Sequence, residues 1–210
     1  MTSRRLLALP LLAASAALVL TACGPQTDDR AAAADPAVAV DEEIVTEDPA
    51  AAADTPYVSL DCVTMQVAGA DGPPADATTI GDVSASFDDA GVPSLTIATV
   101  NLAAEELGIA DLVTGDGAEV QPGDTVTVNY CGAGLDGLMV FDSSWSRGEP
   151  ISFPLDGLIP GWQEGIPGMK VGGQRLLVIP GPLGYGESGA PGIAPNETLA
   201  FVIELLDVAS

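Results

Sequence analysis

Trp162 lies in the stretch LIPGWQEGIPGMKVGGQR, Leu158–Arg175, just after a Pro-Gly pair and among glycines at 161, 165, 168, 172 and 173. Glycine loses much backbone freedom on folding, so such a density marks tight turns or close approaches. The order of residues predicts a strand end at Leu158, a sharp corner and a short helix reaching about Gly165. Trp162 then faces inward at the start of that helix. A large, rigid indole there can form the floor of an apolar pocket, although taken alone it reads first as an ordinary core residue. Such a floor would suit the binding of an apolar group. The 210 residues include thirty acidic and six basic ones and no histidine. The commonest general base and metal ligand is therefore absent. The three cysteines lack zinc-ligand spacing, and no metal or cofactor is expected. The acidic excess excludes nucleic acid as a partner, because basic side chains supply that affinity.

The elements that must position this stretch are mostly strands. Thr125–Tyr130 alternates cleanly, with Val126, Val128 and Tyr130 on one face. Gly108–Val113, Met139–Ser144, Pro150–Leu155, Arg175–Ile179 and Thr198–Leu206 read as further strands, and Pro180–Pro195 as a long Gly/Pro loop carrying Tyr185. Many strands with one short helix predict an α+β domain built on an antiparallel sheet over 103–210. Residues 56–102 form a β-rich lead-in. Tyr57–Val67 reads as one loosely alternating strand, and Val83–Phe87 with Ser94–Ala98 as a hairpin about Asp88–Gly91. This segment either packs on the main domain or forms a small unit of its own.

Ahead of both lie two segments with different physics. Residues 1–22 have a basic start at Arg4 and Arg5 and an apolar run from Leu6 to Leu20, the layout of an export signal. Leu20-Thr-Ala-Cys23 resembles a bacterial lipobox, which predicts acylation of Cys23 and a lipid anchor in a membrane. An ordinary secretory signal with an incidental cysteine is the competing reading, and the paired arginines are also similar to a twin-arginine signal. Residues 23–55 carry nine acidic residues against Arg30, with many alanines and several prolines. Low hydrophobicity with like charge predicts a disordered, extended tether.

Six motifs then occur in one order: V-x-V-x-Y-x-G at Val126–Gly132, FDSS at Phe141–Ser144, GW-x-x-G at Gly161–Gly165, GMKVGGQR at Gly168–Arg175, LGYG at Leu183–Gly186 and F-x-I-E-L-L at Phe201–Leu206. With these, residues 103–208 resemble the FKBP-type peptidyl-prolyl cis-trans isomerases. The resemblance implies a twisted antiparallel sheet wrapped around one short helix, with an apolar pocket between them. It implies Trp162 as the floor, and Tyr130, Phe141, Leu158, Ile159, Ile193 and Phe201 as walls, with Ile151 where the family often has an aromatic. Asp142 would accept a hydrogen bond from the Tyr130 hydroxyl, with Arg147 as its basic partner. Tyr185 would offer its hydroxyl, and Ile159 its backbone N–H, to substrate carbonyls. Tyr130, Phe153 and Phe201 also read as plain core, and Asp142 as a turn cap. Two departures stand out: Leu155–Leu158 is about two residues short and lacks the family's acidic residue there, and the Tyr185–Ile193 loop is trimmed, with Ala190 in place of a bulkier side chain.

The implied activity is rotation about X-Pro bonds in exported, proline-containing polypeptides by a monomer, without covalent or metal chemistry. A non-catalytic binding module or holdase using the same groove is the alternative. If Cys23 is acylated, Cys62 and Cys131 remain as an even pair in an oxidising compartment. With Tyr130 facing the pocket, Cys131 points to the opposite face. A disulfide there would staple the 57–67 segment to the back of the sheet, and two free thiols are the alternative.

Overall fold

The computed structural model describes residues 57–98 and 103–210. The expected export signal, lipidation at Cys23 and tether therefore fall on residues outside those described. The lead-in makes a sheet of its own from β1 (Tyr57–Asp61), β2 (Val67–Ala70), β3 (Thr78–Ile80), β4 (Val83–Phe87) and β5 (Pro93–Ala98), in the order β2-β1-β5-β4-β3. The β4–β5 hairpin forms where the Asp88–Gly91 turn places it. Tyr57–Val67, expected as one strand, is instead the start of a hairpin. The Asp61 carboxylate accepts the backbone N–H groups of Val63 and Thr64, and Met65 adopts a positive φ of 57°. An Asp that accepts the amides two and three residues on turns the chain, and the Cys-Val-Thr-Met-Gln run beyond it, without Gly or Pro, does not reveal this.

The second sheet contains β6 (Gly108–Val113), β7 (Thr125–Gly134), β8 (Met139–Ser143), β9 (Ile151–Pro154), β10 (Gln174–Ile179) and β11 (Leu199–Ala209). Its order is β6-β10-β11-β7-β8, with β9 beside the first half of β7, and every pairing is antiparallel. Two short helices interrupt it, α1 (Ser144–Arg147) and α2 (Pro160–Gly165). Of these only α2 was expected. The four-residue α1 is set by Ser143, whose hydroxyl caps Ser146 N–H, and by Gly148, whose left-handed φ of 73° ends it.

This sheet is buried on both faces. Val126, Val128, Tyr130, Leu177, Ile179, Phe201 and Ile203 face α2, whereas Cys131, Ala133, Leu176, Val178, Ala200 and Val202 pack on Val58, Leu60, Ala85, Leu95 and Ile97 of the lead-in. The molecule is thus a twisted sheet around a short helix, backed by a second sheet. The Cys62–Cys131 disulfide joins the two sheets, and Ser143 Oγ donates to the Cys62 carbonyl at 2.6 Å beside it. On the front face α2 lies close to β10 because its glycines lack side chains. A Cβ at Gly161 would come within 2.5 Å of Ile179 Cγ2, and one at Gly165 within 2.8 Å of Leu177 Cδ2. Arg175 fixes the far end of α2 by donating to the Gly165 carbonyl at 2.7 Å while its Nε bonds Asp111 at 2.6 Å.

Candidate active site

A cavity of about 440 Å³ opens between the front of the sheet and the segment around α2. Its floor is Trp162, only 4% exposed. The indole packs edge-on against three rings, Tyr130 at 5.6 Å, Phe153 at 6.0 Å and Phe201 at 5.3 Å between centroids, and Phe141 stands edge-on to Phe201 at 5.6 Å. Edge-to-face contacts of this kind add to area burial and fix the ring orientations. Gly132 makes the arrangement possible, since a Cβ there would lie 2.6 Å from Phe201 and 2.7 Å from Phe141. Trp162 Nε1 is buried without a hydrogen-bond partner among the described residues. The floor is thus a ring system that carries one unpartnered N–H donor.

One side of the cavity is polar. The Tyr130 hydroxyl donates to Asp142 Oδ2, Arg147 Nη1 pairs with Asp142 Oδ1, and Arg147 Nη2 donates to Tyr130 Oη at 3.0 Å. The Arg147 guanidinium also stands 5.6 Å from the centre of the Tyr130 ring. The fold places all three by one device. Between the β9-paired and β8-paired halves of β7, the Tyr130 backbone N–H loses a ladder partner, and Ser144 Oγ at the start of α1 accepts it at 2.9 Å. The same turn that anchors Tyr130 thus carries Asp142 and Arg147.

Leu158, Ile159, Ile151 and Tyr185 complete the lining. Tyr185 is 39% exposed at the rim. The Ile159 N–H makes no hydrogen bond among the described residues, because α2 begins immediately after it and its first bonds run back to the Ile159 carbonyl. Of the pocket residues expected from the sequence, only Ile193 is not on the cavity wall. It is buried in the core that includes Trp162 and Phe201, held in a tight Ala190–Ile193 bend. Phe153, which reads as plain core, lines the cavity instead. The signal for it was the period of two, which puts Phe153 on the same face of β9 as Ile151. Among the described residues no three His, Cys, Asp or Glu side chains are grouped to hold a metal.

Burial, and then the hydrogen bond to Asp142, raise the Tyr130 pKa above its ordinary value, with Arg147 opposing. Burial, and then the Asp142 charge, raise that of Tyr185. A folded-state value raised in this way contributes stability that is complete below the unfolded value, about 10 for tyrosine, and is lost as pH rises through the folded one. The melting temperature is therefore expected to decline above about pH 10. In Tyr130→Phe that alkaline decline should be shallower in thermal melts. An identical alkaline profile in the variant would contradict the assignment.

The family described as FKBP-type peptidyl-prolyl cis-trans isomerase matches residues 117–206. The chain is 50% identical over 107 residues to a probable FK506-binding protein of Corynebacterium glutamicum, a match covering 51% of this chain and 91% of that protein. It is 45% identical over 120 residues to the peptidyl-prolyl cis-trans isomerase FPR2 of Saccharomyces cerevisiae, covering 55% and 89%. Against the FKBP-type isomerase FkpA of Escherichia coli the identity is 56% over 94 residues, covering 45% of this chain and 34% of FkpA. Two relatives matched over about nine-tenths of their own length, with a family match at 117–206 that spans the whole aromatic cavity, place this protein in the family of FKBP-type peptidyl-prolyl cis-trans isomerases.

Proposed function

We propose that the cavity catalyses cis-trans rotation about X-Pro bonds of exported polypeptides by desolvating and twisting the prolyl amide. The observation that carries this reading is the cavity itself, with a floor of edge-packed aromatic rings and the Tyr130, Asp142 and Arg147 polar groups along one side. An X-Pro amide resists rotation because resonance gives its C–N bond double-bond character, with a barrier of about 18–20 kcal/mol. The planar form is charge-separated, and water stabilises it. Against Trp162, Phe141, Phe153 and Phe201 the amide loses that water, which favours the less polar twisted form. Tyr185 Oη and the Ile159 N–H hold carbonyls of the flanking chain, so binding energy favours the twisted geometry over the planar one. Ile151 and Leu158 cover the ring, and the Tyr130–Asp142–Arg147 group keeps the polar wall in place. No acid, base or nucleophile enters these steps.

The setting we infer is the extracytoplasmic face of a membrane. Cys23 would carry the lipid and residues 23–55 would hold a monomeric 103–210 domain away from the surface. The disulfide supports this, since such bonds persist in oxidising compartments.

The test is the refolding of a protein whose slow phase, roughly 10–100 s uncatalysed, is prolyl isomerisation. Catalytic amounts of this protein are expected to shorten that phase. A higher refolding yield with an unchanged slow phase would favour the holdase reading instead.

A further inference from the structure

Two carboxylates are buried without an ion pair among the described residues, Asp124 and Glu197. Asp124 closes its own local turn by accepting the Gln121 N–H. Glu197, 4% exposed, reaches further. Its Oε1 accepts the backbone N–H groups of Asp136 at 3.0 Å and Gly137 at 3.2 Å, and its Oε2 accepts that of Ala194 at 2.7 Å. Asp136 and Gly137 form the turn that launches β8 toward Phe141 and Asp142. Ala194 follows the Ala190–Ile193 bend, and Asn196 N–H, two residues on, donates to the Gly186 carbonyl directly after Tyr185 at 2.8 Å. Gly134 is shaped to this arrangement, because any Cβ there would collide with the Glu197 carboxylate. Glu197 does not line the cavity. One buried carboxylate thus serves three backbone N–H groups from two segments far apart in sequence, which an ordinary loop contact does not do.

We propose that Glu197 is a positioning residue of the isomerase site, clamping the Tyr185 loop to the β7–β8 turn so that two walls of the cavity keep one fixed spacing. The proposal rests on the isomerase reading. It assigns to the trimmed Tyr185–Ile193 loop a rigidity supplied from outside the loop.

The experiment compares kcat and KM for an X-Pro peptide in the parent protein, Tyr185→Phe, Glu197→Gln, Glu197→Ala and the Glu197→Ala/Tyr185→Phe double variant. It is run at a temperature where circular dichroism shows each to be folded. Glu197→Ala is expected to lower kcat/KM about tenfold, a modest share of what a displacement of about 1 Å can cost. Glu197→Gln keeps one acceptor oxygen, so it can hold one segment but not both, and should fall between. Tyr185→Phe should cost less in the Glu197→Ala background than in the parent, because the loop is already displaced. The same cost in both backgrounds, or parental kcat/KM in a folded Glu197 variant, would overturn the proposal. If Glu197→Ala does not fold, Glu197→Gln with and without Tyr185→Phe decides by the same comparison. An inactive parent would overturn the isomerase reading and this proposal with it, and is visible before any variant is made.

Discussion

Asp142→Ala is expected to lower kcat/KM for X-Pro peptides by about tenfold while the protein stays folded. The carboxylate is the acceptor that holds both the Tyr130 hydroxyl and the Arg147 guanidinium. A hydrogen bond to a charged group contributes about 1.5–3 kcal/mol, equivalent to roughly 13-fold to 160-fold in rate if all of it is felt in the transition state. The Asp142 and Arg147 side chains are 41% and 40% exposed, so solvent screens the pair and the lower end applies. Without the carboxylate, Arg147 loses its counter-charge and the polar wall admits water, which acts directly against desolvation. Steady-state peptide kinetics with a thermal melt of each protein will check this. A folded Asp142→Ala protein with parental kcat/KM would remove the polar wall from the mechanism.

Reducing the Cys62–Cys131 bond is expected to cost about 4 kcal/mol of stability, by the chain-entropy relation for the 69-residue separation it closes. Against a total of roughly 5–15 kcal/mol for a typical domain that is a large share. The bond closes the loop between the lead-in and β7, and the interface it secures buries Leu176, Val178, Ala200 and Val202. The urea midpoint should drop on reduction, and the Cys62→Ala/Cys131→Ala protein should show the same drop without reductant. A midpoint that does not move in either case would mean that packing alone holds the two sheets together.

The pocket was more legible in the sequence than the architecture that supports it. Trp162, Phe141, Asp142 and Tyr185 fall in short motifs, where one turn dictates the direction of each side chain. β10 and β11 read as continuous apolar runs, Leu176–Ile179 and Leu199–Ile203, which signals burial on both faces. The covering layer is a long-range fact that the cysteine pairing alone disclosed: the expected Cys62–Cys131 bond is present and holds the 57–67 segment to the back of the sheet. The Tyr57–Ala70 hairpin was hidden because the Asp61 turn carries no Gly or Pro. Ile193, expected in the wall from the resemblance alone, sits behind the lining in a bend closed by its hydrogen bonds with Ala190, which the loop's sequence does not specify. Glu197 gave no signal at all, since its three partners are backbone amides whose positions only the fold determines.

The measurement that tests the central claim most directly is two-dimensional exchange NMR on a short X-Pro peptide, with a catalytic amount of the purified protein and of its Asp142→Ala variant. Cross-peaks between the cis and trans forms are expected on a timescale far shorter than the uncatalysed roughly 10–100 s, and to weaken with the variant. No acceleration by the folded parent, across several residues preceding proline, would contradict catalysis in this pocket and leave the groove as a binding site.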